Sequence, residues 1–338
     1  MMLFAAIYLL RKKLAKGQDS PLPSMELVIP VRNESHTILY NVKNRLCAIQ
    51  AKMPLSCTLV DDGSVPAVQH MIGDCNCRLL RIESGESGSK KKALSAAIES
   101  SNAEWIITSD ADTRNSSTWP EELTLCMRPG IDFIAAPVFV SDAPHFIARF
   151  SQCESLCLWT VALGSQFIRT PLLCSGANLA FRRKAWLEIG GYASHAHIPS
   201  GDDVLLMHQL WQRNASAVNF CVSKDAACFT ESAQDWNAWF GQRRRWISKT
   251  QHVQNPIKLI LLLVVALWLY LPFLLACFSF QILAGFLALE TVWIIFLARF
   301  YAVKLPRLAW FIFRFTYPLL LPLVFFARQG MWKAQVKS

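Results

Sequence analysis

Three short stretches place carboxylates where chemistry could use them. Ser56-Cys57-Thr58-Leu59-Val60 runs into Asp61-Asp62-Gly63-Ser64, and Trp105–Thr108 runs into Ser109-Asp110-Ala111-Asp112. Further along stands Gly201-Asp202-Asp203. Asp-Gly is a common turn dipeptide, so Asp62-Gly63 alone reads first as a turn. Asp110-Ala111-Asp112 says more, because alternate residues at a strand end can bring two carboxylates onto one hard divalent cation where the loop bends. The alternative is a helix N-cap at Asp112-Thr113. Clustered acids without a cation cost stability, which favours the cation. Asp202-Asp203-Val204-Leu205 suits either a capped helix start or a general base.

The elements around these acids are those of an α/β domain. Glu26–Val31 is a short β-branched run, Ser35–Lys52 a helix candidate, and Arg78–Ile82 a weaker strand. A helix over Lys90–Ser100 then leads into the Trp105–Thr108 strand. Strands alternating with helices predict a mostly parallel, doubly wound sheet, whose ligands bind beyond the carboxyl ends of the strands. The first two acidic clusters stand at such ends.

Charge and hydropathy divide the 338-residue chain further. Met1–Lys16, Arg243–Lys258 and Arg299–Ser338 together hold sixteen basic residues and no acid, so a net +10 chain is −6 elsewhere. Basic residues that border apolar segments mark a cytoplasmic membrane face, whereas a nucleic-acid protein spreads its basic footprint over the folded domain. No nucleic-acid partner is expected. Eleven scattered cysteines read as small buried thiols in a reducing compartment, without zinc spacing.

Residues 257–278 are apolar over a length that crosses a bilayer, and Ile282–Ala298 forms a second segment containing Glu290. Glu290 is expected to face a neighbouring helix or a lipid headgroup. A third segment, Leu308–Ala327, is interrupted by Arg314, Pro318 and Pro322, and either spans or lies as a kinked re-entrant or interfacial element. Met2–Leu10 is too short to cross alone, and Arg11-Lys12-Lys13 follow it rather than precede it, unlike a secretory signal. The expected organisation is a short anchor over residues 1–16, a cytosolic domain over 22–250 ending in an interfacial helix, and a membrane region over 256–338. The protein is therefore expected in the cytoplasmic membrane. Trp236, Trp239, Phe240, Arg243 and Trp246 recur at helical spacing, as in a helix lying at headgroup depth.

Two acidic strand ends, Gly201-Asp202-Asp203, and Gln242-Arg243-Arg244-Arg245-Trp246 before a membrane helix occur in one order along the chain. That combination resembles the membrane-bound family-2 glycosyltransferases with the D, D, D, QxxRW signature. Cellulose, hyaluronan and chitin synthases and ceramide glucosyltransferase belong to that branch. Ile29-Pro30-Val31-Arg32-Asn33-Glu34 is similar to the family's opening strand and loop. Lys90-Lys91-Lys92-Ala93-Leu94 is similar to its GKxxAL stretch, with Ser89 where glycine is usual. Ser175–Arg183 is similar to its acceptor-side segment.

The resemblance implies a GT-A fold and inverting transfer from a nucleotide-sugar, commonly a UDP-sugar, to a lipid, lipid-linked or polysaccharide acceptor. It further implies that Asp112 with Asp110 holds Mg2+ or Mn2+, which offsets the charge of the departing diphosphate. Asp62, with Asp61, would accept hydrogen bonds from the base or ribose, and Lys90 would contact the nucleotide. Asp203, beside Asp202 in place of the usual glutamate, would be the base. Gly176 and Asn178 would lie on the acceptor side. Gln242, Arg245 and Trp246 would close over donor and acceptor, with Arg243 and Arg244 lipid-facing or structural. His195 and His197 are expected to be solvated loop residues. A catalytically silent scaffold of a glycan-assembly complex is the alternative of another class, and a transporter would need more spans.

Overall fold

The computed structural model describes residues 2–3, 5–7, 22–68, 76–83, 85, 89–198, 200–250, 252–253 and 255–326. Most of the expected N-terminal anchor, together with Arg328, Lys333 and Lys337, lies outside the described residues. The chain forms two compact units, one of residues 12–138 with 174–230 and the other of residues 139–173 with 231–330.

The first unit holds the α/β layer. Its strands are β1 (Met25–Val31), β2 (Ser56–Asp62), β3 (Arg78–Ile82), β4 (Trp105–Thr108), β5 (Arg114–Asn115) and β6 (Phe133–Ala135). After β7 (Val138–Val140), where the chain leaves this unit, come β8 (Leu179–Arg182), β9 (Val218–Phe220) and β10 (Cys228–Thr230). The helices are α1 (His36–Gln50), α2 (Lys90–Glu99), α3 (Trp119–Thr124), α5 (Arg183–Glu188) and α6 (Val204–Arg213); α4 belongs to the second unit. Seven strands form one sheet in the order β3-β2-β1-β4-β8-β6-β9. All its pairs are parallel except those of β8, which runs against both β4 and β6. β1 and β2 are buried almost end to end, as strands covered on both faces must be. Leu39, Val42, Leu46 and Ile49 put one stripe of α1 into the core, at helical spacing.

The reversal of β8 sets where its preceding loop arrives. Because Leu179 at its start pairs with Thr108 at the end of β4, that loop reaches the same edge as the acidic turn after β4. β10 pairs with β5 beyond that turn, Cys228 opposite Asn115.

The second unit is helical: α4 (Phe146–Phe167), α7 (Trp236–Thr250), α8 (Asn255–Phe278), α9 (Phe280–Phe300) and α10 (Arg307–Phe326). Expected boundaries put α4 and α7 in the domain of residues 22–250, whereas their contacts group them with the C-terminal helices. Arg243 of α7 forms a buried ion pair with Glu154 of α4, and Tyr317 of α10 donates to the same carboxylate at 2.8 Å. Trp159 donates to Tyr301 at 3.0 Å, and Trp293 donates to Thr160 at 3.0 Å.

Residues 257–278 and α9 are long and apolar enough to cross a membrane. Large apolar side chains stay exposed along α8, α9 and α10, including Leu267, Phe273, Leu289, Val292, Leu308 and Leu319. Glu290 faces the bundle: it accepts from Arg314 Nε and Trp268 Nε1, both at 2.6 Å. Arg314 also donates to the Trp268 carbonyl at 2.6 Å. The arginine that interrupts the third apolar segment is thus paired inside the unit.

Candidate active site

The start of α2 is where the acidic stretches of the first unit meet. Ser89 caps the helix, its hydroxyl accepting from Lys92 N, and its own N–H donates to Asp62 Oδ2 at 2.7 Å. The next residue, Lys90, reaches Asp110 Oδ1 at 2.7 Å and Asp202 Oδ2 at 3.1 Å. One ammonium therefore joins the turn after β4 to the turn before α6. Burial by itself pulls this lysine down, but the two carboxylates outweigh it and hold it well above its ordinary value.

Asp61 and Asp62 point opposite ways, as neighbours on a strand do. Asp61 is spent on its own loop, accepting from Ser64 N at 2.9 Å and pairing with Arg81 at 2.7 Å. Asp62 also lies 3.4 Å from Arg32, whose guanidinium donates to the Asp62 carbonyl and to the Gly85 carbonyl. Of the two expected nucleotide contacts, Asp62 is the one turned toward α2.

The loop before β8 brings Gly176 against Lys90 and Asp202. A Cβ on Gly176 would stand 2.8 Å from Asp202 Oδ2, 3.1 Å from Lys90 Nζ and 3.6 Å from the Asp203 Cβ. Gly176 N donates to Asp203 Oδ2 at 3.2 Å, and its carbonyl accepts from Thr108 Oγ1 at 3.1 Å. Asp203 is also the N-cap of α6, accepting from Val204 N at 2.7 Å, so the capping role is present at the candidate base. Asn178 is fully buried, its amide donating to Pro137 and Ala226 carbonyls and its oxygen accepting from Trp119 Nε1. It shapes the loop from beneath and presents no open surface to an acceptor.

Asp112 accepts from Thr230 Oγ1 at 3.4 Å. The next helix, α3, has Thr118 as its N-cap, so Asp112 is not the N-cap of that helix. Asp110 and Asp112 are both partly exposed. Two hard oxygen donors at alternate positions suit Mg2+ or Mn2+, which fill their remaining positions with water and substrate phosphate. Among the described residues no third His, Cys, Asp or Glu gathers with them.

Sequence reasoning missed two supports of this site. Arg45 of α1 donates to the Thr113 carbonyl at 2.7 Å and to Asn115 Oδ1 at 3.1 Å, bracing the acidic turn from 68 residues away. Burial pulls its guanidinium below the ordinary arginine value. Lys91 is buried and donates to the His195 and Ile198 carbonyls at 2.6 and 3.0 Å, holding the loop that leads to Asp202. Arg45 left no local signal, whereas Lys91 was visible only as one of three lysines. His195, expected in solvent, is 5% exposed and stacks edge-on to Tyr192.

The QxxRW residues lie on α7, in the helical unit. Arg243 is buried, with its guanidinium 4.5 Å over the Trp239 ring and 4.7 Å over the Trp246 ring, which makes it structural rather than lipid-facing. Gln242 and Arg245 are half-buried, and Trp246 is 38% exposed.

Comparison with known proteins bears on the fold and the family. A probable glycosyltransferase, YdaM of Bacillus subtilis (strain 168), is 22% identical over 244 residues, or 69% of this chain. The match spans 56% of that relative's length. The structure of mannosyltransferase PcManGT from Pyrobaculum calidifontis, solved in complex with GDP-Man and Mn2+, aligns with a TM-score of 0.55. Identity there is 18%, over 95% of this chain and 94% of the other, a likeness of fold. Residues 105–325, well over half of the chain, match the family model described as glycosyl transferase family group 2. On that match, which takes in β4 to β10, the chain belongs to glycosyl transferase family group 2.

Proposed function

We propose that the protein transfers a sugar, with inversion, from a nucleoside-diphosphate sugar such as a UDP-sugar. The acceptor is a lipid, lipid-linked glycan or polysaccharide at the cytoplasmic face of the membrane. The observation that carries this reading is the meeting at the start of α2, where Asp62, Asp110 and Asp202 converge on Ser89 and Lys90. A donor-side acid, a cation-side acid and an acceptor-side acid are thereby held within one helix turn. The GDP-Man and Mn2+ in the PcManGT complex support the donor class and the divalent cation.

The chain's own groups account for the chemistry. Asp62 accepts hydrogen bonds from the nucleoside, and Lys90 sets a positive charge beside the diphosphate. Asp203 takes the proton of the acceptor hydroxyl as its oxygen bonds to the anomeric carbon, on the face opposite the leaving group. The bond from that carbon to the diphosphate oxygen breaks with its electron pair, giving free nucleoside diphosphate and an inverted glycoside. A divalent cation held by Asp112 and Asp110 would supply charge for that departing diphosphate. By motif, Gln242, Arg245 and Trp246 belong to donor and acceptor binding. The apolar exposed faces of α8 and α9 support an integral membrane protein.

The test uses the full chain in detergent micelles with a panel of nucleotide sugars and Mg2+ or Mn2+, reading nucleotide release. Asp203→Asn is expected to bind donor nucleotide while turnover falls about 10²–10⁴-fold. Unaltered turnover would remove Asp203 from the base role, and a wild type that binds no nucleotide would return the scaffold alternative.

A further inference from the structure

α9 ends in Arg299-Phe300, turns through residues 301–306, and α10 starts at Arg307. The turn is tightly closed: Ala302 sits at φ 54, and Val303 N returns to the Ala298 carbonyl at 2.8 Å. It encloses a cleft of about 190 Å3, walled by Ile295, Ala298, Val303 and Leu305 and flanked by Arg299 and Arg307. Lys304 of the same turn is occupied by Asp142, at 2.7 Å. Among the described residues neither Arg299 nor Arg307 has a side-chain hydrogen bond or ion pair, and both are exposed.

Two guanidiniums held at one cleft repel each other, and an anion between them removes that cost. The apolar walls select the kind of anion. A free phosphate gains nothing from Ile295, Val303 and Leu305, whereas a phosphodiester on a glycerol places its first carbons there. The volume fits a headgroup phosphate and those carbons, not a whole lipid. Acyl chains have their path along Phe296, Leu308 and Phe311, which are 45%, 74% and 54% exposed. Basic pockets between membrane helices on the cytoplasmic side take anionic headgroups for this reason.

We propose that the Arg299–Arg307 cleft binds the phosphate of an anionic membrane lipid, clamped at the end of α9. This rests on α8 and α9 lying in the membrane, as in the proposed function. Two basic residues near an anionic surface contribute about thirty-fold in affinity together.

The experiment measures lipid retained by the full chain in micelles, offered phosphatidylglycerol or phosphatidylcholine, by native mass spectrometry. Wild type is expected to retain phosphatidylglycerol preferentially. Arg299→Gln/Arg307→Gln should lower that retention about thirty-fold, each single variant part of the way, and Lys258→Gln at the start of α8 not at all. All variants are compared at equal thermal unfolding midpoints, and the single variants stand in if the double variant melts early. Preference that survives in the double variant overturns the site. Displacement of the lipid by millimolar inorganic phosphate also overturns it, in favour of a free-anion site. Wild-type protein released from membranes without detergent overturns the membrane placement and this proposal together, whereas retention without phosphatidylglycerol preference overturns this proposal alone.

Discussion

Gly176→Ala separates the proposed chemistry from the fold. The added Cβ would stand 2.8 Å from Asp202 Oδ2 and 3.1 Å from Lys90 Nζ, while ordinary contact begins near 3.4 Å. The Asp202 carboxylate must retreat by about 0.6 Å. Both atoms are ends of flexible side chains, so the fold loses little. Gly176 is not at positive φ, and Gly→Ala at a compatible position stabilises by about 0.4–1 kcal/mol through the unfolded chain. Against this stands an overpacking cost of about 1–3 kcal/mol, at the low end for Gly176 because its neighbours can swing away. The net change in stability should lie within about 1 kcal/mol. Turnover is far more sensitive, since misplacement of about 1 Å at a reacting group costs on the order of 10²-fold. We expect a loss of about 10- to 100-fold in nucleotide release at saturating donor, with the unfolding midpoint nearly unchanged. Full turnover in a folded variant would show that the Lys90–Asp202 contact has no part in catalysis. A loss that merely tracks a falling midpoint would refute the division between site and fold.

Lys90→Met removes the cation between Asp110 and Asp202, so turnover should fall about 10²-fold while Mn2+ binds more tightly, measured by titration of the Mn2+ spin resonance signal. Weaker Mn2+ binding would contradict the charge balance assigned to Lys90 and its two carboxylates. Glu154→Gln and Glu290→Gln each break a buried ion pair in the helical unit, and both should lower the unfolding midpoint, by about 3–5 kcal/mol in stability. Only Glu154→Gln should also depress turnover at temperatures where both remain folded, because Arg243 rests on Trp246. His195 is held down to about 4 by burial first, then by Lys91 and His197. The unfolded imidazole, near 6.5, binds a proton that the folded one refuses, so stability should rise with pH from about 4 to 6.5 and this contribution should level off at higher pH. His195→Phe should flatten that slope in thermal unfolding followed across pH.

How much was legible in the sequence depended on how local each determinant is. β1, β2 and β4 announced themselves as short apolar runs ending in turn residues, and the helix candidates over Ser35–Lys52 and Lys90–Ser100 stand as His36–Gln50 and Lys90–Glu99. Asp110, Asp202 and Lys90 stood out by type and spacing, but that one ammonium joins both acids emerges only once the turn before α6 comes back to the start of α2. Asp61 and Asp62 were indistinguishable as a pair of letters; strand alternation settles which one faces α2. Asn178 carried a motif position, yet its amide is consumed by three buried partners that lie 41, 48 and 59 residues away. The same long reach hid Arg45, and it hid the grouping of α4 with α10, for which Glu154 and Tyr317 are 163 residues apart.

Under the membrane placement proposed above, the Glu290–Arg314 pair bears on how the helical unit is assembled. An arginine near the middle of a lone apolar helix costs about 2.5–3.5 kcal/mol to pass into lipid. In this fold that cost is cancelled only when the glutamate of the preceding helix is already alongside, together with the Trp268 carbonyl. Under that placement the last helix has no reason to enter the bilayer ahead of the hairpin before it, and a chain with a deletion within residues 280–300 is expected to leave the final segment at the surface.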